Sequence, residues 1–203
     1  MQLIKKIIFI TSLIAIVLSC SGKKEDLKEL LKVEKNIELA LKSQDATFIE
    51  TVISQIETVE AVFPEHQSLK ERKYSLQIRI RKYNDAIETI DSLLKLSPED
   101  IDNRIVKGIL LEITGNIHQS NIVYEECLEL INKKIEEMLK GDRSKKLGRE
   151  LNRVMILKLL NRDSQLDYDN IKNDPDISDY PNILNLLKLM EQGSREQIIN
   201  RYR

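Results

Sequence analysis

The stretch Lys82-Tyr83-Asn84-Asp85-Ala86-Ile87-Glu88-Thr89-Ile90-Asp91-Ser92-Leu93-Leu94-Lys95-Leu96-Ser97-Pro98-Glu99-Asp100 carries the clearest structural signals in this 203-residue chain. Ala86, Ile90 and Leu93 recur at helical spacing, which predicts a helix from about Asn84 to Leu96. Ser97-Pro98-Glu99-Asp100 predicts the start of another. Ser97 is placed to cap it, Pro98 suits its first turn, and the two acids suit its positive end. Pro98 also repeats Pro64 at a distance of 34 residues. The same spacing relates Ile49, Tyr83 and Ile117, and then Val52, Ala86 and Ser120. It also relates Ile56, Ile90 and Tyr124, and Val59, Leu93 and Cys127. A period of this size marks a stacked helix–turn–helix repeat.

Working outward, helical patterns fill the chain from Glu25. Leu27, Leu30, Leu31, Ile37, Ala40 and Leu41 form one apolar stripe. Thr47 with Glu50 reads as a capping box opening a second helix that runs to about Val62, where Phe63-Pro64 stops it. A third runs from about His66 to Arg81. The helix after Pro98 runs to Thr114, Gly115-Asn116 makes a turn, and the next helix opens at Ile117. That helix lacks a terminal proline, Asn132 standing in its place, and is expected to continue through Ile135 and Met138 to Gly141. From Asp142 the period is lost. Leu147, Leu151, Val154, Met155, Leu159 and Leu160 predict a helix, residues 162–181 an irregular polar segment, and Tyr180-Pro181 the start of another helix. Ser194 and Gln197 form a capping box for a last helix to about Tyr202.

The run from Lys82 to Asp100 resembles the second helix of a tetratricopeptide repeat. In that family a small residue sits where the two helices of a unit touch, a position held here by Val52, Ala86 and Ser120. Ala40 and Gly108 match the small position of the first helix, and Tyr74 departs from it. Tyr124 matches the large ring position, filled by Ile56 and Ile90 in the earlier units. Leu39 matches the leucine at the seventh place, where Lys73 and Lys107 depart. The resemblance implies an all-α, short right-handed α-solenoid of about three units at about 33–66, 67–100 and 101–134. These lie within a repeat region of 27–141. A solenoid end exposes apolar surface and needs a cover, so 142–203 is expected to be a helical cap, the alternative being a separate binding surface.

The N-terminus has a different character. Lys5 and Lys6 precede an apolar run from Ile7 to Leu18, interrupted only by Thr11 and Ser12. This run is too short for a spanning helix and has signal-peptide length. It ends in Val17-Leu18-Ser19-Cys20, which resembles a bacterial lipobox. The resemblance implies a signal peptide at 1–19, lipidation of Cys20 and a tether at 20–26. Ser21-Gly22-Lys23-Lys24-Glu25-Asp26 further resembles the surface-export signal of Bacteroidota lipoproteins. On these resemblances the chain is a lipid-anchored protein of the bacterial cell envelope, at the outer membrane, with its periplasmic and cell-surface faces both open.

Composition narrows the function classes. Losing Lys5 and Lys6 with the signal leaves 30 of the 32 basic residues against 33 acidic ones, so no positive excess favours nucleic acid. With Cys20 committed to lipid, Cys127 stands alone and no internal disulfide framework exists; it reads as a small buried hydrophobe. His66 and His118 lie in turn or helix-start positions without partners at catalytic or metal spacing. Asp167-Tyr168-Asp169-Asn170 with Asp174, Asp176 and Asp179 suggests calcium, but Lys172 and Ser178 occupy the places where an EF-type loop needs glycine and glutamate. No phosphate-cradling loop or nucleophile elbow occurs. The expectation is a non-enzymatic chain with no cofactor, no metal and no small-molecule substrate.

What remains is a binding surface. In the repeat family the first helix of each unit lines a concave groove that holds a peptide or a partner helix. Carried over by position, the groove takes Glu34, Ile37, Leu41 and Gln44 from the first unit. The second unit contributes Glu71, Ser75, Ile78 and Arg79, and the third Asp102, Ile105, Ile109 and Glu112. This apolar strip edged by acids suits a protein partner with apolar anchors and a few basic residues. The alternative is that these residues simply pack against each other or against the N-terminal helix. Three functional readings follow: a scaffold or assembly module tethered to the envelope membrane, an immunity or inhibitor lipoprotein that neutralises a toxin, and an enzyme whose site lies in the C-terminal region.

Overall fold

The computed structural model describes residues 26–138 and 143–203, and among these the chain is all-helical with no strand. The expected signal peptide, Cys20, the tether up to Glu25 and the stretch Leu139–Gly141 lie outside the described residues. The helices are α1 (26–40), α2 (Ala46–Val62), α3 (Gln67–Arg79), α4 (Tyr83–Leu96) and α5 (Ile101–Ile113). They continue as α6 (Ile117–Glu137), α7 (Arg143–Leu159), α8 (Gln165–Lys172), a 3₁₀ turn at Ile177–Asp179, α9 (Pro181–Gln192) and α10 (Arg195–Asn200). Successive helices pack in pairs, α4 on α5, α5 on α6 and α6 on α7. None of the described helices is long and apolar enough to cross a membrane.

The 34-residue period is visible in the helix boundaries. The ends of α2 and α4, at Val62 and Leu96, are 34 apart, and so are the starts of α3 and α5, at Gln67 and Ile101. The helix-reversing turns of the second and third units also repeat. Arg81 and Gly115 both take left-handed backbone conformations, at φ 60° and 84°. In each turn the next amide donates back across five residues, from Lys82 to the Gln77 carbonyl and from Asn116 to that of Leu111, both at 2.8 Å. These are Schellman closures, which satisfy carbonyls left open at a helix end. Arg162 to Leu157 forms a third, at 2.8 Å, with Asn161 at φ 54°. The first unit departs from the pattern, since α2 begins at Ala46, three residues ahead of the repeat position.

Several caps differ from expectation. Asp45, not Thr47, caps α2: its carboxylate accepts the amides of Thr47 and Phe48 at 2.9 and 3.2 Å. Asp100, not Ser97, caps α5, accepting the Asn103 amide at 3.0 Å, and Ser97 instead ends α4. In both cases the aspartate stands immediately before the first helical residue, whereas Thr47 already lies inside α2 and Ser97 stands four residues ahead of α5. α6 ends at Glu137 with Met138 as its C-cap. The segment 162–181, expected to be irregular, contains α8 and the 3₁₀ turn, because Tyr168 and Ile171 are drawn into the core. The Ser194–Gln197 capping box is formed in both directions.

The chain divides into two compact units, one ending at Leu76 and the other running from Gln77 to Arg203. The division falls inside α3. In the first unit, Leu30, Val33, Ile37 and Ala40 of α1 are buried, as are Ile49, Val52, Ile56 and Val59 of α2. Lys73, standing where the repeat family has leucine, makes ion pairs of 3.1 Å with both Glu57 and Glu60. In the second unit Lys107, its counterpart, pairs with Asp91 at 2.6 Å. Glu57 and Asp91 are also 34 residues apart, so an ion pair replaces the leucine contact in both units. Leu39, which does match the family, is exposed, as no described helix precedes α1 to cover it.

The second unit has the larger core. Ile101, Ile105 and Ile109 of α5 share one cluster with Tyr124, Cys127 and Ile131 of α6 and with residues of every later helix, among them Leu147, Val154, Ile171, Leu187 and Ile199. Ala86 and Ser120, the proposed tight-contact residues, are fully buried. Gly108 lies against the Tyr124 ring so closely that a Cβ there would overlap it. A glycine on one helix facing a ring on the next is what lets α5 and α6 approach.

Candidate functional site

The groove positions have different fates. In the first unit Glu34, Gln44 and Glu71 are exposed, Leu41 and Ser75 are half-buried, and Ile37 is core. The Ser75 hydroxyl donates to the Glu71 carbonyl at 2.7 Å. In the second unit Ile78 is half-buried and Arg79 exposed.

In the third set Asp102 is exposed and the other three positions are closed. Ile105 and Ile109 are buried in the main cluster beside residues of α7 to α10. Glu112 is buried as well. Arg195, at the start of α10, reaches it at 2.6 Å, and the Tyr124 hydroxyl donates to its other oxygen at 3.3 Å. At the opposite end of α5, the Asn152 amide donates to Asp102 at 3.0 Å. Arg195 also donates to the Leu159 carbonyl at 2.8 Å, locking α10 to the end of α7. Thus the strip expected to receive a partner in this unit receives the chain's own C-terminal helices. Asp102 and Glu112 serve as polar anchors for them. A buried carboxylate is tolerable only with such partners.

An open cavity of about 300 Å³ remains next to Asp102, where α7 faces α9. Its lining combines Leu151, Ile183 and Leu186 with Lys145, Arg149, Asn152 and the exposed carboxylate of Asp102, while Gly148 keeps the floor open. Nothing lies within 4 Å of where a Cβ at Gly148 would stand. Leu186 is exposed in the absence of a partner, as is Leu189 one turn further along α9. This is the apolar-and-charged mixture that a groove for a peptide or helix presents. Sequence reasoning missed it because Lys145, Gly148 and Arg149 are brought opposite Ile183 and Leu186 only by the packing of α7 on α9. The signal available in the sequence was the run of leucines on α9, of which Leu187 is buried while Leu186 and Leu189 are exposed.

The other singled-out residues have structural partners. His66 Nδ1 accepts the Leu69 amide at 3.3 Å and so helps close the start of α3. Cys127 is buried, and burial pushes its thiol up to about 12 from an ordinary 9.0. A thiol that holds its proton so firmly is a poor nucleophile. Asp167 and Asp174 of the acidic segment are engaged by Arg153 and Arg143. Among the described residues no three His, Cys, Asp or Glu side chains gather in a way that would hold a metal. A second cavity, of about 330 Å³, is lined by Lys158, Arg162, Ser164, Tyr168 and Glu191. Its charges are largely spent: Arg162 binds Glu125, and Lys158 donates to the carbonyls of Met190 and Gly193 at 2.6 and 3.2 Å. No protein-family model matches the chain, and no curated protein matches it.

Proposed function

We propose that this protein is a non-enzymatic, membrane-tethered protein-binding module of the bacterial envelope, and that the groove between α7 and α9 takes the partner. The observation that carries the reading is the pairing of an apolar floor, Leu151, Ile183 and Leu186, with two cations, Lys145 and Arg149, in one open cavity whose carboxylate, Asp102, already accepts from Asn152. Such a groove suits a segment with an aliphatic anchor and neighbouring acidic residues. That charge is opposite to the one expected from the acid-edged strip of the helical units, which is closed at α5. The tether supports the role: Cys20 behind Ile7–Leu18 would confine the module to a surface and raise the effective concentration of a partner there.

The test is binding of two fluorescent peptide series with the same aliphatic anchor, one acidic and one basic. The acidic series is expected to bind and to lose affinity on Arg149→Glu and Lys145→Glu, with the melting temperature unchanged. Binding of the basic series alone, or acidic binding indifferent to these substitutions, overturns the assignment to this groove.

A further inference from the structure

We propose that the outer face of α1 is a membrane-docking surface that lies along an anionic lipid headgroup layer. The proposal rests on the reading of an N-terminal anchor only for how the helix is brought there. Its own evidence is the distribution of side chains. Leu27, Leu31 and Leu39 are 54, 59 and 53 % exposed. At about 100° per residue they share an arc of about 140° with Lys28, Lys32 and Lys35, all exposed. Glu38, the acid within this arc, is engaged by Arg72 of α3, and Lys32 pairs with Glu29 beside the arc at 3.3 Å. The opposite side of the helix holds the buried Leu30, Val33, Ile37 and Ala40. α1 thus has two apolar faces, and only one is used by the fold.

A second apolar face interleaved with lysines is what an interfacial helix presents. The leucines enter the boundary between headgroups and acyl chains, and the lysine stems run along the surface with their ammonium groups among the phosphates. The sequence position agrees. The apolar stretch Ile7–Leu18 ends nine residues before Leu27, with Lys23 and Lys24 between. Juxtamembrane lysines are attracted to anionic lipid. Docking α1 flat would set how the first unit meets the surface.

The experiment places a photo-crosslinking phenylalanine analogue at Leu31 in the full chain, with a second variant at Leu166, 75 % exposed, as a reference. The protein is reconstituted into phosphatidylcholine vesicles with or without phosphatidylglycerol. Position 31 is expected to crosslink to lipid, more strongly with phosphatidylglycerol and less at high salt, while position 166 does not. The triple variant Lys28→Glu, Lys32→Glu and Lys35→Glu should lower the docked-to-undocked ratio by up to about a hundredfold at low salt, with an unchanged circular dichroism spectrum. Three outcomes overturn the proposal: vesicles that carry the protein while position 31 stays free of lipid, a crosslink to a second copy instead, or equal lipid crosslinking at both positions. Failure of the full chain to float with vesicles at all overturns both this proposal and the anchor reading.

Discussion

Single residues show how the repeat is enforced and where it is strained. Arg81 occupies the left-handed conformation that Gly115 takes 34 residues later. A side chain there is strained in a way glycine is not. Arg81→Gly should therefore stabilise the fold by about 0.5–1 kcal/mol, read from the urea midpoint; a loss of stability would show that the arginine side chain does more than occupy the turn. Gly108→Ala should have the opposite sign, costing about 1–3 kcal/mol, because its methyl group would overlap the Tyr124 ring. Cys127 gives a pH prediction. Its folded thiol is pushed up to about 12 against 9.0 when free, so above pH 9 the unfolded chain releases a proton that the folded chain keeps. Stability should fall as pH rises from about 9 towards 12. Cys127→Ala should flatten part of that slope, the remainder including Tyr124, Tyr168 and Tyr202, whose hydroxyls burial pushes up as well. A slope unaltered by the substitution would contradict this assignment.

At the scale of elements, the helices were largely legible because each rests on local chemistry. Apolar periodicity, Pro64, Pro98 and Gly115 mark helices whose ends fall within a few residues of expectation. The errors also have local causes. Asp45 and Asp100 outcompete Thr47 and Ser97 as caps because they stand immediately before the first helical residue. α8 was hidden because its polar surface outweighs the two core residues, Tyr168 and Ile171, that hold it. The lysines at the leucine position are explained by neither composition nor period: each finds an acid on the preceding helix. Lys73 meets two carboxylates, one of them the half-buried Glu60, whereas Lys107 meets the more open Asp91. Lys73→Met should therefore cost about 1–3 kcal/mol and Lys107→Met under about 1 kcal/mol. Equal costs in thermal denaturation would remove the distinction. Ala86→Arg, which forces a charge into a fully buried contact, should destabilise more than either.

At the scale of the molecule, the second unit is organised by contacts that no local pattern announces. The Arg195–Glu112 pair joins helices 83 residues apart in sequence and leaves Glu112 buried with only Arg195 and Tyr124 for company. Arg195→Ala should cost about 2–4 kcal/mol by stranding that carboxylate. Adding Glu112→Gln should recover much of the loss, since an uncharged amide can still accept from Tyr124. Failure of the second substitution to rescue would mean that Arg195 acts through the Leu159 carbonyl instead. The sequence by itself determined the helices, the 34-residue period and the all-α class, because spacing, caps and turns act over a few residues. The tertiary structure alone decided that residues of α7 and α10 anchor on the face of α5 expected to receive a partner. It also decided that α7 and α9 frame an open groove of the opposite charge, and that α1 keeps a second apolar face. Each of these depends on which surfaces meet, and burial is a property of the pair of surfaces in contact, which neither helix carries in its own pattern.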